Sequence, residues 1–265
     1  MGRLILITLF VVLAATAAAA ADKPDPLSQA RSFYNQRDFE AAVNAAERAR
    51  LQTSRADSAD LIAARAYLER FRVSAASDDL TSARIRLGRL DPQRLGSRER
   101  TEFIIGLGEA LYFDESYGAS AAVFASVVDV PDGSTGEAHE GVLDWWATAL
   151  DRDARGRPDI DRRAVYDRIH TRMHEELAKR PGSGTAAYWL AAAARGTGDL
   201  QAAWDAAEAG WVRASLVADH GAALREDLDR LMQRGIIPER AKGVAQSPEN
   251  LRLEWERFKE RWRKN

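Results

Sequence analysis

The segment from Leu190 to Gly210 reads LAAAARGTGDLQAAWDAAEAG and contains two amphipathic helical patterns on either side of a turn. Leu190 and Ala194 lie on one helical face before Gly198-Asp199, and apolar or small residues follow at the same spacing. Gly198-Asp199 forms the turn between the two patterns. The segment therefore predicts an antiparallel helical hairpin.

The same pattern recurs along the chain in Gln29–Arg50, Ser58–Asp91 and Leu107–Val127. The last gap between copies is about twice as long as the others, so we expect a further, degenerate hairpin within it. Leu143–Ala149 and Ile160–Leu177 supply its two helical stretches, although Arg163 stands where a small residue is expected. The sequence thus predicts about five hairpins.

Small residues on these helices have a physical reason, because two helices joined by a short turn approach closely only where side chains are small. One hairpin cannot bury its own apolar face, whereas stacked neighbours close a continuous core. We therefore predict an all-α fold, an α-α superhelix in which successive hairpins stack.

These segments resemble tetratricopeptide repeats, most clearly in Leu107-Gly108 with Tyr117, and in Gly198-Asp199-Leu200. The copies are spaced near 40 residues rather than the 34 of that family, so another α-α solenoid stays open. The resemblance implies a concave wall made by the first helix of each hairpin, which binds a protein or peptide. The implied concave positions are Arg31, Tyr34, Asn35, Glu109, Tyr112, Phe113, Tyr188 and Arg195. Alternatively, their aromatic members pack between hairpins.

Residues 216–265 depart from the repeat pattern of residues 22–215. Gly221–Arg234 is predicted to be a helix that ends at Gly235-Ile236-Ile237-Pro238. Ser247-Pro248-Glu249 is a strong start signal for a last helix. Its apolar stripe indicates a capping helix that covers the last hairpin. The alternative is a docking helix for a partner or a membrane surface. The stripe consists of Leu251, Trp255, Phe258 and Trp262.

Residues 1–21 have the layout of a secretory signal peptide. Arg3 is followed by the unbroken apolar stretch Leu4–Leu13 and then by alanines up to Ala21. An uncleaved membrane anchor is the alternative, since the uncharged stretch is just long enough to span a bilayer. We expect an exported protein, periplasmic or extracellular, that meets the membrane only through this segment if it is not cleaved.

Composition excludes several function classes. The net charge is −2 and the chain has no cysteine. A balanced charge gives no basic field for nucleic acid, so we expect no nucleic-acid partner. The absence of cysteine excludes thiol catalysis, cysteine-ligated zinc and iron–sulfur clusters.

Few residues are candidates for chemistry. His170 and His174 are four residues apart on a predicted helix, but the sequence lacks the glutamate that a zinc-peptidase motif requires. We read both as exposed side chains, read His139 and His220 as surface residues, and expect no metal or cofactor. Ser183 lies in a turn that suits a helix start rather than a hydrolase elbow.

Three functions follow as hypotheses. The preferred one is a non-enzymatic scaffold or adaptor in the bacterial cell envelope with a protein or peptide partner. The second is a solenoid that binds a small molecule or lipid in an apolar pocket lined by Tyr112, Phe113 and Tyr188. The third is a metal-dependent hydrolase that uses His170, His174 and nearby acids.

Overall fold

The computed structural model describes residues 25–129, 136–217, 219, 221–243 and 246–263, and every regular element in these residues is helical. The predicted signal peptide lies outside the described residues. The α-helices, numbered in chain order, are α1 (Pro26–Asn35), α2 (Phe39–Arg50), α3 (Ala56–Ser74), α4 (Ser77–Leu87), α5 (Ser97–Phe113), α6 (Tyr117–Ala125), α7 (Gly136–Ala154), α8 (Asp159–Lys179), α9 (Gly184–Thr197), α10 (Leu200–Arg213), α11 (Ala222–Leu231), α12 (Ile237–Gly243) and α13 (Pro248–Trp262).

The first ten helices form five consecutive hairpins, each packed against the next. The first helices also pack against one another, α1 on α3, α3 on α5, α5 on α7 and α7 on α9. The second helices have sparser mutual contacts, so the closely packed row of first helices lies on the inside of the curve. The predicted all-α superhelix is confirmed, including the degenerate hairpin, whose Arg163 is exposed rather than packed.

Three of the hairpin turns share one hydrogen-bonding motif. Arg37, Glu115 and Gly198 each have a positive φ, of 61°, 58° and 88°. In each turn the next residue's backbone N–H donates to a carbonyl oxygen five residues earlier, at 3.0 Å. In the first and last turns that next residue is an aspartate whose side chain caps the following helix. The repeat seen in the sequence is therefore also a repeat of backbone conformation.

Small residues bring the helices of a hairpin together as predicted. A Cβ atom placed on Gly108 of α5 would lie 2.7 Å from the ring of Phe124 on α6. The Ser120 hydroxyl of α6 donates a 2.8 Å hydrogen bond to the Gly108 carbonyl oxygen. Gly196 of α9 faces the ring of Tyr166 on α8 in the same way, at 2.5 Å. Close packing of glycine on an aromatic ring thus recurs within and between hairpins.

The C-terminal helices close the last hairpin. The Ser247 hydroxyl accepts a 3.2 Å hydrogen bond from the Asn250 backbone N–H, which confirms the predicted start of α13. Trp255 is fully buried, and its ring lies 5.4 Å from that of Trp211 and 6.3 Å from that of Trp204 on α10. The helix α13 therefore covers the apolar end of the stack.

The predicted helix end at Gly235–Pro238 is wrong. Residues Met232–Ile236 form a π-helical turn that leads directly into α12, with Pro238 as the second residue of that helix. Ile236 and Ile237 are fully buried. Burial of these two side chains continues the helix, and the π turn absorbs the shift in hydrogen-bond register that proline imposes.

Candidate functional site

The concave side carries a cavity of about 540 Å³ at the N-terminal end of the stack. Three successive first helices line it, namely α1, α3 and α5. It brings together the predicted residues Arg31, Tyr34 and Asn35, and it adds Arg65 from α3 and Glu102 from α5. Because it is built across three hairpins, its shape depends on how the hairpins stack.

Arg65 lies at the centre of this cavity. Its guanidinium carbon is 4.9 Å from the centroid of the Tyr34 ring, and its Nη1 is 3.3 Å from Glu102 Oε2. Its Nε is buried and has no hydrogen-bond partner among the described residues. Arg31 at the rim forms an ion pair with Glu99. The cavity therefore contains paired charges, and the Arg65 guanidinium covers one face of the Tyr34 ring.

Burial raises the pKa of two groups near Arg65. Desolvation raises the pKa of the Tyr34 hydroxyl to about 12, so that it stays protonated as a donor. Desolvation also raises the pKa of the Glu109 carboxyl to about 7, and the nearby charge of Arg65 opposes this shift. Glu109 is 8% exposed, so its charge changes near neutral pH inside the concave row.

Tyr112 and Phe113 lie at the end of α5 within an aromatic cluster. The Tyr112 ring is 5.0 Å from Trp145, and the Phe113 ring is 4.9 Å from Phe71. Both predicted residues are partly buried and connect neighbouring hairpins. The alternative role anticipated for aromatic concave residues, packing between hairpins, thus describes these two. Trp145 is partly exposed, whereas the adjacent Trp146 is buried.

Tyr188 and Arg195 line a separate cavity of about 210 Å³ between α9 and α11. Arg195 Nε lies 3.1 Å from both carboxylate oxygens of Glu239 on α12. A Cβ atom on Gly235, in the π turn, would lie 2.7 Å from Arg195 Nε. Arg195 is therefore held by the C-terminal helices, a contact that its place in the repeat did not predict.

The eight predicted residues therefore do not form one site. They lie in separate groups along the row of first helices. Arg65 and Glu102 were not among the predicted residues. No concave position was assigned to the second hairpin, which contains Arg65, whereas Glu102 lies on α5 in the third hairpin, seven residues before the predicted Glu109. Arg65 lies three residues after the buried Ile62 on a first helix. Helical periodicity in the second hairpin was the signal that indicated it.

The histidines differ from their prediction in part. His174 is exposed, but His170 is partly buried, and burial together with the charge of His174 lowers the pKa of His170. The reading of His139 as a surface residue is wrong. Its side chain is 15% exposed, and its Nε2 lies 2.9 Å from Oε1 of Glu176, a fully buried carboxylate. His220 lies outside the described residues.

The contact with Glu176 accounts for the burial of the His139 side chain. Arg180 donates a 2.5 Å hydrogen bond to the same Glu176 oxygen, and Arg172 Nη2 lies 3.8 Å from the other oxygen. A buried carboxylate without such partners is costly. The cluster therefore serves the fold of α7 and α8.

In the described part of the chain, no three histidine, aspartate or glutamate side chains converge in a way that holds a metal ion. Helices there lack the combination of length and apolarity that crossing a bilayer requires. No protein-family profile matches the sequence, and comparisons with curated proteins and with solved structures also gave no match.

Proposed function

We propose that this chain is an exported helical-repeat protein that binds a protein or peptide partner along its concave row and acts as a scaffold or adaptor in the bacterial cell envelope. The export part rests on the leader-like residues 1–21. The tetratricopeptide-like character rests on the recurring turn and on the small residues of each hairpin. Binding, rather than catalysis by its own side chains, is the proposed role.

The observation that carries the proposal is the cavity across α1, α3 and α5. A stack of hairpins holds such a surface rigid, because α3 is packed against both α1 and α5. Arg31 and Asn35 present exposed polar side chains to this cavity, and Tyr34 and Arg65 are partly exposed in it. These groups suit a polar chain with acceptor oxygens, and peptide carbonyls provide them at regular intervals.

Affinity capture from an envelope extract tests the proposal. The bait is the mature chain, compared with the concave variant Arg31→Ala/Asn35→Ala. A matched control, Arg163→Ala/Asn44→Ala, removes the same residue types from exposed positions on second helices. We expect one stoichiometric partner with the unmodified chain and with the control, and a loss with the concave variant. Equal recovery with all three baits refutes the proposed face.

A further inference from the structure

A recess on the outer side of the stack lies between α8 and α10. Its volume is about 340 Å³, and its walls include His170 and His174 from α8. The opposite wall is formed by small side chains of α10, among them Ala202, Ala206 and Ala209. Small side chains leave open space directly in front of the two imidazoles.

The two imidazole rings are close to each other and form no hydrogen bond with the described residues. Their ring centroids are 4.5 Å apart at an interplanar angle of 71°. Neither ring takes part in a hydrogen bond or ion pair with the described residues, and both lie on one face of a regular helix, a single turn apart. Each ring therefore has a nitrogen available for a ligand, unlike His139, whose Nε2 is taken by Glu176.

We infer that His170 and His174 bind one divalent transition-metal ion in this recess, with water completing the coordination. Imidazole nitrogen is a ligand for copper, nickel and zinc, and Cu²⁺ binds such sites most tightly of the three. Two protein ligands make an open site. This inference is independent of the proposed partner binding, since the recess lies on the outer face and the concave cavity on the inner one.

The remaining charged groups of the recess are Asp205 and Arg213. Asp205 Oδ1 accepts a 2.7 Å hydrogen bond from Gln201 Nε2. Asp205 is not counted as a ligand, because no three metal-ligating side chains converge among the described residues. Its negative charge and the positive charge of Arg213 offset each other. The affinity therefore rests on the two imidazoles binding together, and this is the property to test.

The experiment is a calorimetric titration of the full chain, prepared without a histidine tag, with Cu²⁺ alone. The matched variant Thr171→His/His174→Thr keeps the composition and changes only the spacing of the two histidines. Residues 171 and 174 are both exposed, so the exchange preserves the fold, which circular dichroism checks. A second variant, His170→Gln, removes one ligand outright.

We expect one Cu²⁺ per chain, with affinity roughly 100-fold weaker in both variants, because the second imidazole acts at a high effective concentration only when it faces the first. The electron paramagnetic resonance spectrum of the unmodified chain is expected to show two coupled nitrogens. Equal affinity in the permuted variant, or no binding by the unmodified chain, overturns the inference.

Discussion

Replacement of Gly108 by alanine tests the close packing of one hairpin directly. The added methyl carbon would lie 2.7 Å from Cε1 and Cζ of Phe124, whereas carbon atoms normally approach to about 3.5–4.0 Å. Phe124 is fully buried, and its ring stacks on Trp145 with centroids 5.9 Å apart. The ring therefore has little room to move away.

Two opposing effects determine the change in the free energy of unfolding. Alanine favours a helix over glycine by about 1 kcal/mol. Overpacking a well-packed core costs typically about 1–3 kcal/mol. With an overlap near 1 Å against a buried ring, we expect the upper part of that range, and hence a net destabilisation of about 1–2 kcal/mol.

Gly141→Ala is the matched control. Gly141 lies in α7, and a Cβ atom there would meet nothing within 4 Å. The control gains the same helix preference without the clash, so it should stabilise the chain by up to about 1 kcal/mol. Urea unfolding of both variants, and of each combined with Phe124→Leu, measures the difference. Equal stabilisation by both alanines, with no coupling to Phe124, would refute the packing described.

Three further outcomes are expected. Arg37→Gly should stabilise the chain by about 1 kcal/mol and Gly198→Ala should destabilise it by a similar amount, because both positions have positive φ. Urea unfolding measures both, and a destabilising Arg37→Gly or a stabilising Gly198→Ala contradicts the shared turn. Burial raises the pKa of Glu109 from 4.5 to about 7, so the folded chain keeps a proton that the unfolded chain loses, and stability falls as pH rises through this interval. Glu109→Gln should abolish that fall in unfolding midpoints, and an unchanged pH dependence contradicts it. Trp255→Ala should cost about 3–5 kcal/mol because the side chain is fully buried, and thermal unfolding checks this loss.

Much of the fold can be predicted from the sequence because each hairpin is specified by residues close together in the chain, namely the helical apolar pattern and the turn residues. Asp38 and Asp199 cap the second helices of two predicted hairpins, and the turn with positive φ forms even where Arg37 stands in place of glycine. Local signals failed at Gly235–Pro238, where burial of Ile236 and Ile237 outweighs the two helix-breaking residues. That burial depends on contacts with distant helices, which no local pattern contains.

The candidate site was predictable only in part. Arg31, Tyr34 and Asn35 lie close together on one helix, and the repeat resemblance implied that they belong to the concave face. Arg65 joins them from the next hairpin, and this pairing depends on the stagger between α1 and α3. His139 was misread for a related reason, because its partner Glu176 lies on the next helix, 37 residues away. Contacts between helices fix both arrangements.

The most direct test of the concave face is site-specific photo-crosslinking in the native host. A photoreactive amino acid is placed at Asn35 on the concave row or at Arg163 on a second helix, both of which are exposed positions. We predict one discrete crosslinked species from position 35 and none from position 163. A crosslink from position 163 alone, or no crosslink from either position, would contradict the claim that the first helices form the binding surface.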